Sequence, residues 1–112
     1  SEDAIRESID KFSSLGLVVQ LTELDVSIYT SRTDTLNVGF TPEREQKQID
    51  FYKMAFDVFR DKKDVLTGVT FWNLSDRGSW LDNRTPRRSK HYPLLFDENM
   101  KPKKAFWEVV RF

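Results

Sequence analysis

Only two short runs of the chain read as strands, and each is enclosed by helical sequence. "LVVQLTE" at 17–23 is apolar, rich in β-branched residues and too short for a stable helix, and "VLTGVTFWNL" at 65–74 has the same character. Ahead of the first run, Ile5, Ile9 and Phe12 recur at four and three, the spacing of one helix face, and Gly16 suits the left-handed residue that ends such a helix. Polar sequence then runs to Thr41, where a second helix is predicted to start: a side-chain cap, Pro42 with its preset φ, and Glu43 and Glu45 near the positive end of the dipole. Its apolar face is Ile49, Tyr52, Phe56 and Phe59, and "RDKKD" reads as its exposed end. A long connection from 75 to about 100 leads to a last amphipathic piece, "PKKAFWEVVRF", with Pro102 at its start.

Alternation of this kind predicts an α/β fold with βαβ connections and a parallel sheet. Two strands, however, leave two open edges, and parallel sheets are normally built from several strands buried on both faces. The pattern therefore predicts that further strands come from outside these 112 residues, or from copies of the same chain. There is no internal repeat, low-complexity stretch or interior linker, so a single domain is expected.

Composition excludes several functional classes. Eighteen basic and eighteen acidic residues balance, leaving no global field to draw in nucleic acid or an anionic membrane. The absence of cysteine removes disulfides and thiolate metal sites. No apolar run approaches the roughly 18 residues of a membrane span, and Ser1 opens polar, helix-like sequence, so an export signal would lie upstream of it. No glycine-rich phosphate loop, paired histidine ligands or Ser-His-Asp order occurs, and no cofactor or metal is expected.

In parallel α/β folds chemistry sits at the carboxyl ends of the strands, where Glu23 and Trp72 both fall. Were the first strand to continue by two residues, Asp25 would share a face with Glu23, their Cβ atoms about 7 Å apart. That is within the spacing of paired glycosidase carboxylates. The same acids read equally well as an exposed strand-end glutamate and a turn-capping aspartate. Trp72 and Trp80 lie eight residues apart with Asp76 between them. Flat aromatic faces rimmed by carboxylate and amide groups suit a sugar, whose C–H bonds pack on the ring while its hydroxyls find polar partners. Two core or helix-covering aromatics would give the same pattern.

These residues resemble glycoside hydrolase family 10, the endo-1,4-β-xylanases. "VVQLTELDVS" is similar to the family's seventh-strand segment, in which a Thr-Glu-Leu-Asp run carries the nucleophile. "GVTFWNLSDRGSWL" is similar to the eighth strand and the loop after it, and "YPLLFDENMKPKKAFWEVV" to the closing segment. Together they cover nearly the whole chain in the right order. The resemblance implies that residues 1–112 are part of a catalytic domain: a helix and the last two β/α units of a TIM (β/α)8 barrel. It implies hydrolysis of xylan with retention, Glu23 as nucleophile, Trp72 and Trp80 as xylose-binding walls, and a secreted, periplasmic or cell-surface location. The family's acid/base glutamate and the histidine that bonds the nucleophile belong to earlier strands, absent here. The chain alone is accordingly expected to be inactive, and its partners to be xylan or xylo-oligosaccharide and the missing N-terminal part of the barrel.

The remaining features read more plainly. Asn73 stands where the family commonly has glycine. His91 follows both strands, cannot fill the family's histidine position, and reads as a surface or structural residue. Arg84, Arg87, Arg88 and Lys90 form a basic run that reads as a solvated loop, with phosphate or acidic xylan decorations as the alternative. Met54 and Met100 are gap-fillers or surface residues. A non-catalytic carbohydrate-binding module, or a purely structural piece, are the competing functional classes.

Overall fold

The computed structural model describes residues 1–30, 39–83 and 89–111. Helix α1 (Glu2–Ser13) is capped by Ser1, whose Oγ accepts the Ala4 N–H, and has Glu2 and Asp3 in its first turn. Gly16 takes φ +77° just beyond its end, as its position predicts. Strand β1 (Val19–Leu24) follows, then helix α2 (Pro42–Asp61), strand β2 (Leu66–Phe71), two 3₁₀ turns (Asp76–Gly78 and Trp80–Asn83) and helix α3 (Lys104–Val110). Thr41 caps α2 through Oγ1 to the Arg44 N–H, with Pro42 at the first helical position.

β1 and β2 pair in parallel, Val19 against Leu66 and Leu24 against Phe71, with irregular register before Gln20 and between Leu21 and Leu24. Ladder pairing begins only where Val19 donates to the Val65 carbonyl. Leu17 and Val18, expected at the start of the strand, therefore precede it and stay exposed. Among the described residues these two strands form the sheet, so both edges are open.

α2 holds the fold together because its apolar spacing serves two clusters. Ala55, Val58 and Phe59 pack with Ile9 of α1 and Leu66 of β2, while Ile49 and Tyr52 pack with Leu95 and with Ala105 and Val109 of α3. Burying one such aliphatic or aromatic side chain contributes about 1.5–3 kcal/mol. Met54 packs at the margin of the first cluster, while Met100 is exposed in a turn at φ +63°. The Arg60 guanidinium donates to the Val109 and Glu108 carbonyls (2.7 and 3.3 Å), a cation at the carboxyl end of α3. The sequence places that last helix from Pro102. It starts instead at Lys104, because Pro102 forms an antiparallel bridge with Phe96.

Phe12 continues the apolar face of α1 but is exposed. With Ile5, Leu17, Val18, Leu21 and Phe51 it lines an open groove of about 640 Å³ beside β1. A smaller groove of about 230 Å³ lies beside β2, lined by Phe59, Leu66, Val69 and Val109 among others. Both flanks of the sheet thus present apolar surface at the edges where a neighbouring strand would pair.

Candidate functional site at the carboxyl ends of the strands

The two residues after Glu23 are the attachment points for two tryptophans. Trp72, directly after β2, donates its backbone N–H to the Leu24 carbonyl (3.1 Å). Trp80, on the second 3₁₀ turn, donates its indole N–H to Asp25 Oδ2 at 2.6 Å. Both rings stay open to the outside, Trp72 at 48% and Trp80 at 43% exposure, which rules out the reading of them as core aromatics. Glu23 is exposed as well, beside the open edge of the two-stranded sheet. It lies inside β1 rather than at its end, and Leu24 is the last residue of the strand. Asp25 likewise differs from a free second carboxylate or a turn cap: it is half-buried and committed to Trp80.

Below this surface a layer of backbone and buried polar groups fixes the strand ends. Val26 and Ile28 extend β1 in an irregular way, donating to the Pro93 and His91 carbonyls (both 3.1 Å). α2 reaches in from behind. Gln48 Nε2 donates to the Val26 and Tyr92 carbonyls, and the Tyr52 hydroxyl donates to the Pro93 carbonyl. Tyr52 is fully buried, and that burial pushes its phenol well above the usual range. The Pro93 and Tyr92 carbonyls each accept two hydrogen bonds at this crossing, while Gln48 Oε1 and His91 Nε2 are buried with no hydrogen-bond partner among the described residues.

Asp76 was read from the sequence as part of a polar rim between the tryptophans. That reading is overturned: its side chain is 1% exposed, beneath the loop rather than on it. One carboxylate oxygen accepts the Leu94 N–H (2.8 Å), and the other pairs with Lys103 Nζ (3.0 Å), which also donates to the Tyr92 carbonyl. Burial pushes the Asp76 carboxyl up and the Lys103 ammonium down, against the attraction of each for the other. Twenty-seven residues separate the partners in sequence, so nothing local signals the pair.

His91 is structural, and its surface reading is corrected by its 7% exposure. Its Nδ1 shares a hydrogen with Ser27 Oγ (2.8 Å), which also accepts the Tyr29 N–H, and its ring meets Tyr29 edge-on. Desolvation lowers its pKa, partly offset by Asp82 and Asp25. Of the basic run, Lys90 is paired with Asp82 and Glu98. Arg84, Arg87 and Arg88 lie outside the described residues.

Sequence reasoning missed Gln48, Ser27 and Lys103. Gln48 alone carried a local signal, a polar residue one turn before Tyr52 on the buried side of α2. Among the described residues no cluster of three His, Cys, Asp or Glu side chains could hold a metal, and no helix is long and apolar enough to cross a membrane.

Comparison with known proteins gives this geometry a context. A β-1,4-xylanase of Dictyoglomus thermophilum is 47% identical over 109 residues, 96% of this chain and 31% of the relative. Endo-1,4-beta-xylanase A of Caldicellulosiruptor saccharolyticus is 43% identical over 96% of the chain and 32% of its own length. The chain thus spans about a third of the length of the curated relatives it matches. A crystal structure of a xylanase from Paenibacillus barcinonensis, complexed with a conduramine derivative, superimposes with TM-score 0.90 at 36% identity over 98% of this chain and 34% of that one. A variant structure in complex with xylotriose gives 0.89 at 42% identity, over 99% and 34%. The family model described as Glycosyl hydrolase family 10 matches residues 1–112. The chain belongs to glycosyl hydrolase family 10.

Proposed function

We propose that this chain supplies the nucleophile and the sugar-binding walls of an endo-1,4-β-xylanase that acts with retention of configuration. One observation carries the reading: two exposed tryptophan faces are fastened by hydrogen bonds to Leu24 and Asp25, the residues immediately after Glu23. In this reading a xylose ring packs on the indoles and presents its anomeric carbon to the exposed Glu23 carboxylate. The xylotriose bound by a structural relative supports a xylo-oligosaccharide as the ligand.

In this reading residues 1–112 are a helix and the last two β/α units of a (β/α)8 barrel, and the open edges of β1 and β2 accept strands of the missing N-terminal part. Glu23 attacks the anomeric carbon to give a glycosyl-enzyme. A second carboxyl group, from the missing part, protonates the leaving oxygen and then activates the water that releases the sugar. Asp25 does not serve as that acid, since it already accepts the Trp80 indole N–H. Without the partner carboxyl the chain alone does not turn over xylan, because unassisted departure forfeits a factor of about 10² to 10⁴. The protein works outside the cytoplasm, where its polymer substrate is.

The test is a complete family 10 catalytic domain carrying this segment. Unaltered, it should cleave xylan and release the β-anomer first, followed by NMR. Glu23→Gln should retain oligosaccharide binding and lose about 10⁴-fold or more in kcat, as removal of a nucleophile does. A Glu23→Gln variant within tenfold of the parent kcat would remove Glu23 from the mechanism.

A further inference from the structure

Asn73 occupies the position directly after Trp72, and both ends of its side-chain amide are engaged. Its Oδ1 accepts the Leu74 N–H at 2.7 Å, and its Nδ2 donates to the Gly78 carbonyl at 2.8 Å. Gly78 closes the first 3₁₀ turn, and only Ser79 separates it from Trp80. One short side chain therefore bridges the exit of β2, where one indole is attached, to the residue pair that leads into the other. At its base the same loop is held by the buried Asp76. At its rim Asn73 is the side chain, among the hydrogen bonds of the described residues, that spans it from Trp72 to the far side of the turn.

We infer that Asn73 is a positioning residue that fixes the two tryptophan walls relative to each other and so sets affinity for a xylo-oligosaccharide spanning both; this rests on the xylanase reading above. The physical reason is preorganisation. A loop free to sample several arrangements must be ordered when sugar binds, whereas a loop already clamped has no such ordering left to do. Nothing in the chemistry of the reacting carbon depends on Asn73, so its effect falls on binding rather than on the chemical step. Glycine at this position would make neither bond.

The experiment uses a complete catalytic domain carrying this segment, with the parent, Asn73→Gly and Asn73→Asp compared on xylohexaose. Asn73→Gly should raise KM by about three- to tenfold, the range of one to two exposed hydrogen bonds, with kcat within twofold. Asn73→Asp keeps the acceptor for Leu74 and loses the donor to Gly78, so it should raise KM similarly while the Leu74 amide keeps its protection. Amide hydrogen exchange without sugar reads the clamp independently of activity: Leu74 should exchange several-fold faster in Asn73→Gly than in the parent. Unchanged exchange in Asn73→Gly overturns the clamp. Faster exchange with an unchanged KM overturns its role in holding the walls. A parent domain that cleaves no xylan fails the xylanase reading itself, and that failure is visible before either variant is made.

Discussion

Replacing Lys103 by methionine tests how much of the loop beneath the tryptophans rests on one buried ion pair. Lys103 Nζ donates hydrogen bonds to two groups, the Asp76 carboxylate and the Tyr92 carbonyl, and lies over the Phe40 ring. The Tyr92 carbonyl keeps Gln48 as a donor, so the loss falls on one oxygen of a carboxylate that is 1% exposed. Removing one partner of a buried pair typically costs 3–5 kcal/mol. An independent limit comes from titration, since the stranded carboxyl can take up a proton. From a reference value of about 3.9, protonation at pH 7 costs about 4 kcal/mol, at 1.36 kcal/mol per unit. At pH 5 the same step costs only about 1.5 kcal/mol. The expected result, by urea unfolding of a complete domain carrying the segment, is a loss near 4 kcal/mol at pH 7 that shrinks by more than half at pH 5. The double variant Asp76→Leu with Lys103→Met should recover much of it, because no charge is then left buried. A loss below about 1 kcal/mol at pH 7, or one independent of pH, would refute the assignment of Asp76 as a buried ion held by Lys103.

Asp25→Ala strips the Trp80 indole of its acceptor. Because Trp80 is partly exposed, water can replace the bond, so stability should change by less than about 1 kcal/mol. Xylo-oligosaccharide affinity, measured by calorimetric titration of a Glu23→Gln background, should nevertheless fall by about tenfold as the ring loses its fixed orientation. His91 should make stability depend on pH in the mildly acidic range. Its folded pKa lies below the unfolded value of about 6.5, so the unfolded chain binds the proton first. The stability gained by keeping it neutral is complete above that value and is lost as pH falls below it. Urea midpoints between pH 7.5 and 5 should decline in the parent, and the decline should be shallower in His91→Gln.

The parts legible in the sequence are those specified by neighbours a few residues apart. Thr41 and Pro42 start α2 where the residues predict because cap and fixed φ act within one turn. Gly16 takes its left-handed conformation for an equally local reason. Glu23, Trp72 and Trp80 were found as candidates because strand ends and aromatic spacing are visible in one dimension, and the structure brings them to one end of the sheet. What failed were side-chain partnerships between distant elements, although the parallel pairing of the two strands was foreseen. Asp76 looked like a rim residue because its cation, Lys103, is in another element. His91 read as surface or structural, and only the structure chooses between them, because Ser27, which holds its ring, precedes it by 64 residues. The start of β1 was misplaced by two residues because pairing, not apolar content, decides where a strand begins, and Val65 first offers its carbonyl to Val19.

The contrast between the layers of the site explains how one surface can be both open and fixed. Glu23, Trp72 and Trp80 are exposed, as the proposed function requires of groups that meet a polymer. Their positions are set one layer down, where Leu24 and Asp25 receive the two tryptophans, residues 26–28 lie against 91–93, and Gln48, Tyr52, Asp76 and Lys103 satisfy the crossing. The bonds named in that lower layer all lie within the described residues, and α2 and α3 anchor it through Ile49, Tyr52, Ala105 and Val109. The sheet flanks are different. Apolar grooves lie beside both strands, and their edge hydrogen-bonding groups have no neighbour among the described residues. The support for the tryptophan loop is thus internal to the segment, while the closure of the barrel is not. Disturbing Lys103 should therefore loosen the walls even in a complete domain, whereas the second carboxyl of the proposed function could be added without repositioning Trp72 or Trp80.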